Sequence, residues 1–216
     1  MPQYFPIYLD ITRRSCVVVG GGEVALRKVQ ALLDCQAAVT VVSPVVCHGL
    51  LELSQKGDVK LILRKYKAGD LQGATLAIAA TDERETNLQV SREAKERAVL
   101  VNIVDEPKSS DFIVPAYFHR GDITIAISTA GSSPALARKL RTRLESEFGL
   151  EYAVLVGLVN DVRLEIKRRG KTVDAENWQT ALDLDSLLAL IREGDEDGAR
   201  RLLLNNLNAL TGGQEP

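Results

Sequence analysis

The stretch Val17-Val18-Val19-Gly20-Gly21-Gly22-Glu23-Val24-Ala25-Leu26-Arg27-Lys28, VVVGGGEVALRK, decides the fold of this chain. A β-branched apolar run meets three glycines and then a segment whose apolar residues recur at three- and four-residue spacing. Gly20 to Ala25 fits G-x-G-x-x-[G/A] at a strand-to-helix junction. In that pattern the first glycine permits a tight turn and the second lets backbone approach a pyrophosphate. Ala25 allows close helix–strand packing, and the helix N-terminus faces the anion. The expectation is a dinucleotide cradle, weighed against a purely structural glycine turn.

Outward from the glycines, short apolar runs recur at Cys16–Val19, Ala38–Val42, Val59–Leu63, Thr75–Ala79 and Val99–Val104. Helical periodicity falls between them, at Glu23–Asp34 and Glu83–Ala98. Strands alternating with crossover helices predict a doubly wound parallel α/β domain over residues 1–112. Beyond it, Phe112–Phe118 and Ile123–Ser128 read as an antiparallel hairpin turning at His119-Arg120-Gly121-Asp122. Ser132-Ser133-Pro134 then opens a helix, ALARKLRTRLESEF, in a small α+β region over 113–150. Residues 151–216 read as a helical domain broken at Arg169-Gly170-Lys171 and near Asp183–Asp185, with a frayed tail at Thr211–Pro216.

Composition narrows the function classes. The chain has 216 residues, 45% of them hydrophobic, enough to bury a core. A formal net charge of −2 supplies no global basic field for nucleic acid or an anionic membrane, so any basic site is local. Cys16, Cys35 and Cys47 have no C-x-x-C spacing and read as buried thiols in a reducing compartment. The N-terminal residues lack the layout of a secretory signal and no apolar run approaches about 18 residues, so a cytoplasmic location is expected. Neither His48 nor His119 has metal-ligand spacing to a second histidine or cysteine, and no resident metal is expected.

The candidate site residues follow the carboxyl ends of the strands, where open α/β sheets bind ligands. Gly20, Gly22, Glu23 and Val24 form the cradle. The second strand ends in Ser43-Pro44, without the usual acid for the ribose hydroxyls; Ser43 offers a single hydrogen bond. No arginine follows to hold a 2′-phosphate, so NAD is expected over NADP. Thr81 and Asp82 end the fourth strand, either along the same crevice or merely starting the next helix. Asn102-Ile103-Val104-Asp105-Glu106-Pro107 delivers Asp105 to the sheet edge, as a general base beside a nicotinamide or as a solvated loop acid. Asn102 could serve substrate or simply satisfy loop backbone. Ser128-Thr129-Ala130-Gly131-Ser132-Ser133-Pro134 feeds a helix carrying Arg138, Lys139, Arg141 and Arg143, with no acid before Glu145. That pattern suits a polycarboxylate ligand, the alternative being a solvated helix face.

Taken together, Tyr4-Phe5-Pro6-Ile7, VVVGGGEVALRK, LAIAATDERETN, VNIVDEPKSSDFIVPA and IAISTAGSSPALARKLR resemble, in order and spacing, the precorrin-2 dehydrogenases of sirohaem synthesis. That family includes the amino-terminal half of fused bacterial sirohaem synthase and its stand-alone relatives. The resemblance covers most of residues 1–145 closely. It implies a Rossmann-like NAD-binding domain, then a small dimerisation and tetrapyrrole-binding region, then the helical domain. It also implies NAD-dependent oxidation of precorrin-2 to sirohydrochlorin by a homodimer and, in some members, ferrous iron insertion. Asp105 falls on the family's key aspartate. Ser128, Thr129, Gly131, Ser132 and Arg138, with Asn102, are the implied substrate residues; Thr129 replaces a serine. With the sequence ending at Pro216, the methyltransferase of the fused enzyme is expected in another protein. Two further readings share the glycine loop: a dimeric NAD(H)-sensing regulatory module, and a nicotinamide oxidoreductase with a small substrate.

Overall fold

The structure, a computed structural model, describes residues 4–210 and divides into two compact units, Met1–Val114 and Pro115–Pro216. The tail expected to fray at Thr211–Pro216 lies outside the described residues.

In the first unit, β1 (Ser15–Val19), β2 (Ala38–Val42), β3 (Val59–Ile62), β4 (Leu76–Ala79) and β5 (Leu100–Ile103) pair in the order β3-β2-β1-β4-β5, all parallel. Three helices cross over between them: α1 (Glu23–Asp34), α2 (His48–Gln55) and α3 (Arg84–Glu96). Because helices cover both faces, the central strands β1 and β4 are buried on both sides and lack alternation. Their side chains still divide by period two. Val18 packs with Ala25, Val29, Val41 and Leu50 on one face, while Val17 and Val19 pack with Ala77, Val90 and Ala94 on the other.

The strands and α1 fall where the pattern predicts, within about two residues at their ends. Helix α2 was not anticipated: HGLLELSQ is too short for periodicity to stand out, and Leu50, fully buried, fixes it to the sheet. The hairpin starts later than the expected Phe112. Residues Ser110 to Phe112 instead run along the outer edge of β5. The Ile103 N–H donates to Ser110 Oγ at 2.8 Å and the Val101 N–H to the Asp111 carboxylate at 3.0 Å. Asn102 donates its amide to Phe112 O at 2.9 Å. Side chains thus satisfy an edge that would otherwise offer unpaired donors.

In the second unit, β6 (Ala116–Arg120) and β7 (Ile123–Ile127) form an antiparallel hairpin. Its turn is Gly121-Asp122 alone, since Arg120 pairs with Ile123; Gly121 takes φ 57. Helix α4 (Pro134–Glu147) follows, capped by Ser133, whose Oγ accepts from the Leu136 N–H, with Pro134 in the first turn. Arg120 closes the other end of α4, donating to the carbonyls of Glu145 at 2.9 Å and Phe148 at 2.7 Å.

Helices α5 (Glu151–Arg168), α6 (Ala175–Ala181), α7 (Leu184–Arg192) and α8 (Glu196–Leu210) enclose a core of Leu158, Val162, Leu187, Leu203 and Leu207. A break between α7 and α8 adds to the two expected. There Gly194 takes φ 81, the Gly194 N–H donates to Ile191 O, and the Asp195 N–H to Leu190 O. That geometry ends a helix with a left-handed glycine. No helix among the described residues is long and apolar enough to cross a membrane. All three cysteines are free: Cys16 is buried as expected, Cys47 is only half-buried, and the expectation fails for Cys35, which is exposed at the C-cap of α1. Burial pushes the Cys16 thiol up to about 11, with Cys35 adding to the shift.

Candidate functional site

The parallel register aligns the carboxyl ends of the strands: Val19 lies beside both Val42 and Ala79, and Ala79 beside Ile103. The residues that follow, Gly20 to Val24, Ser43 and Pro44, and Thr81 to Glu83, line one cavity of about 420 Å³ together with Lys65, Tyr66 and Thr86. All eight expected cofactor residues meet there: Gly20, Gly22, Glu23, Val24, Ser43, Pro44, Thr81 and Asp82.

Each glycine of the cradle has a distinct reason. Gly20 takes φ +127, and a Cβ there would lie 2.3 Å from the Ala80 carbonyl oxygen. At Gly21 a Cβ would lie 1.9 Å from Val45 O, so the glycine that the motif leaves unspecified is required by the turn after β2. At Gly22 a Cβ would meet no protein atom within 4 Å. No protein atom therefore excludes a side chain at Gly22, which borders open space. It is also the N-cap of α1, and no side chain caps that helix, leaving first-turn N–H donors for an anion. The donor set and the cradle fit a dinucleotide.

The rim residues differ from expectation in detail. Ser43 is buried and donates its O–H to Val45 O at 2.6 Å, so its one proton is committed to the turn. Thr81 Oγ1 accepts from the Glu83 N–H at 3.1 Å, while buried Asn87 donates to Thr81 O at 3.0 Å. The Thr81-Asp82-Glu83 turn is thus latched to α3 by the asparagine of TDERETN.

Two residues that the sequence reading passed over, Lys65 and Tyr66, enter the cavity wall from the loop after β3. That loop is anchored by Glu93, which is 6% exposed. Its carboxylate accepts from Tyr66 O–H at 2.5 Å, from the N–H groups of Gly69 and Leu71 and from Arg97 Nε at 2.7 Å. Burial alone would raise the Glu93 pKa, but the Tyr66, Gly69, Leu71 and Arg97 hydrogen bonds outweigh it and hold the carboxyl below its ordinary value. Burial, followed by the hydrogen bond to Glu93, pushes the Tyr66 phenol far above its ordinary range, so it stays a donor. On the rim, Lys65 Nζ pairs with Glu83 at 3.2 Å. No local pattern marks these residues; their signal is spatial.

Asp105 and Asn102 are not in the cavity lining. Asp105 is exposed two residues past Ile103, as Thr81 is two past Ala79, and those strand ends pair in register. It takes φ 63, a left-handed conformation uncommon for a residue with a Cβ but most accessible to Asp, Asn and Gly. Burial and neighbouring Arg27 lower the pKa of half-buried Lys28 on α1, while Asp105 opposes the shift. Lys28 therefore lies within electrostatic reach of Asp105. The Asn102 amide is engaged by Phe112 O, the structural half of its two readings.

Residues 7–116 match a family model described as "Putative NAD(P)-binding". The chain belongs to this NAD(P)-binding family. Within the second unit, residues 120–147 match a model described as "Sirohaem biosynthesis protein central". The chain is 40% identical over 202 residues to a siroheme synthase of Thioalkalivibrio sulfidiphilus, covering 93% of this chain and 41% of that protein. It is 38% identical over 200 residues to one from Chromobacterium violaceum, covering 92% and 42%. The chain thus spans less than half the length of these curated relatives. A solved structure, "SirC, precorrin-2 dehydrogenase", superposes with a TM-score of 0.72 at 27% identity, covering 95% of this chain and all of that one. The resemblance read from the motifs, and the doubly wound fold with its small antiparallel sheet and C-terminal helices, are borne out.

Downstream of the NAD(P)-binding domain, the 128–134 loop is tightly self-bonded. Ser128 Oγ accepts from the Ala130 N–H at 3.0 Å, and Thr129 Oγ1 from the Ser133 N–H at 3.1 Å. Thr129 O accepts from the Ser132 N–H at 2.9 Å, and Ala130 and Gly131 both take positive φ. Several donors expected to greet an anion are therefore used within the loop. On α4, Arg141 pairs with Glu145 at 2.6 Å and Arg143 with Glu147 at 3.0 Å, each one turn on. The expected run of four unopposed cations is thus reduced to exposed Arg138 and Lys139, which make no ion pair among the described residues.

Proposed function

We propose that the chain is an NAD-dependent precorrin-2 dehydrogenase, oxidising precorrin-2 to sirohydrochlorin in sirohaem synthesis, and that it works as a cytoplasmic homodimer. The observation that carries this reading is the pairing, on one sheet edge, of an anion-ready glycine cradle with a carboxylate held at φ 63 one strand away from the cavity-lining turn. When bound, NAD supplies the hydride acceptor. The chain supplies the rest. Gly20 and Gly21 fix the turn, Gly22 admits the pyrophosphate, and α1 presents its first-turn donors. Asp105 takes the proton lost alongside the hydride, as a general base. We assign exposed Arg138, with the loop residues Ser128, Thr129, Gly131 and Ser132, to recognition of the polycarboxylate macrocycle, while Asn102 holds the strand edge through Phe112 O. Ferrous iron as a further substrate would call on Asp105 for the pyrrole protons.

Purified protein mixed with precorrin-2 and NAD should develop the sirohydrochlorin spectrum, and no NAD-dependent spectral change would overturn the reading. Asp105→Asn keeps a residue tolerant of the left-handed conformation while removing the base. Turnover should fall about 10²- to 10⁴-fold with NADH affinity nearly unchanged. Undiminished turnover would remove Asp105 from the reaction.

A further inference from the structure

We propose that Glu83, pinned on the cavity wall by Lys65 and Thr86, is the residue that selects NAD over NADP. The inference rests on the cavity being the cofactor site. In doubly wound sheets the residue ending the second strand meets the ribose that carries or lacks the 2′-phosphate. Here that residue is Ser43, neutral, buried, and with its proton donated to Val45 O at 2.6 Å. It offers no charge with which to reject a phosphate. Discrimination must therefore come from elsewhere on the wall that Ser43 shares.

That wall carries three carboxylates, Glu23, Asp82 and Glu83, and among its described residues one cation, Lys65. A 2′-phosphate entering this cavity would seek Lys65. Lys65 is already engaged, its Nζ 3.2 Å from Glu83 Oε1, while Thr86 Oγ1 donates to the other carboxylate oxygen at 2.9 Å. Both oxygens of Glu83 are thus held and the carboxylate has a fixed place. The pair is too exposed, with 73% and 59% of the side chains accessible, to matter much to folding. Its consequence falls on the ligand: it neutralises the cation a phosphate would need and leaves the wall net negative.

The test is direct binding of NADH and NADPH, followed by nucleotide fluorescence, for the parent protein and for Glu83→Gln, Lys65→Met and the double variant. The parent should prefer NADH. Glu83→Gln keeps a side chain of the same shape beside Thr86 and releases Lys65, so the ratio of NADPH to NADH affinity should rise about five- to tenfold. The gain should shrink with added salt and vanish in the double variant. An unchanged NADH-to-NADPH ratio in Glu83→Gln, or a gain that survives Lys65→Met, would overturn the proposal while leaving the cofactor site standing. Binding of neither nucleotide to the parent would overturn the cofactor site itself.

Discussion

At the residue scale, the three glycines show how one motif combines fold and function. Gly20 and Gly21 are demanded by protein atoms, Ala80 O and Val45 O; Gly22 is demanded by none. Their substitutions should separate accordingly. Gly22→Val should lower stability by no more than about 1 kcal/mol, the cost of a poorer N-cap, yet weaken NADH by tenfold or more, on the order of 1.4 kcal/mol, because its methyls occupy the pyrophosphate approach. Gly20→Ala should instead lower the melting temperature, since its φ and its contact with Ala80 both oppose a Cβ. Thermal melts beside NADH titrations check both, and intact NADH binding in Gly22→Val would discredit the cradle.

At the element scale, the loop after β3 brings Lys65 and Tyr66 to the cavity only because α3 holds it through Glu93. Glu93→Gln removes a charge that four donors converge upon, and a loss of about 2–4 kcal/mol in urea unfolding is expected. The folded-state pKa of Glu93 is depressed, so its contribution is fully present above the unfolded value of about 4.3. It is lost as pH falls from there through the folded value. The parent should therefore lose stability over that acid window, and Glu93→Gln should show a flatter profile. Similar slopes in both would remove Glu93 as the anchor.

At the scale of the whole molecule, two units each carry their own core, and the proposed homodimer is open to measurement. Light scattering should return twice the chain mass at micromolar concentration, and a single-chain mass would remove the dimer from the reading. What could be read from the chain follows from periodicity. β1, α1 and β2 were legible because Val17–Val19 and Val41–Val42 are apolar on both faces and α1 repeats its apolar positions through Val29 and Leu32. Helix α2 and the break at Gly194 were not, since a short helix and a single left-handed glycine leave little periodic signal.

The same division holds for the candidate site. By itself, the sequence determined the glycine motif, the residues that follow the strands' carboxyl ends and the family, because these depend on local backbone demands and on motifs in fixed order. Only the tertiary structure decided that Ser43 spends its proton on Val45 and that Asn87 latches the Thr81 turn. It also decided that Lys65 meets Glu83 across 18 residues of chain. Those contacts join segments brought together by parallel pairing and crossover packing, and a hydrogen bond between distant residues has no sequence period by which to announce itself.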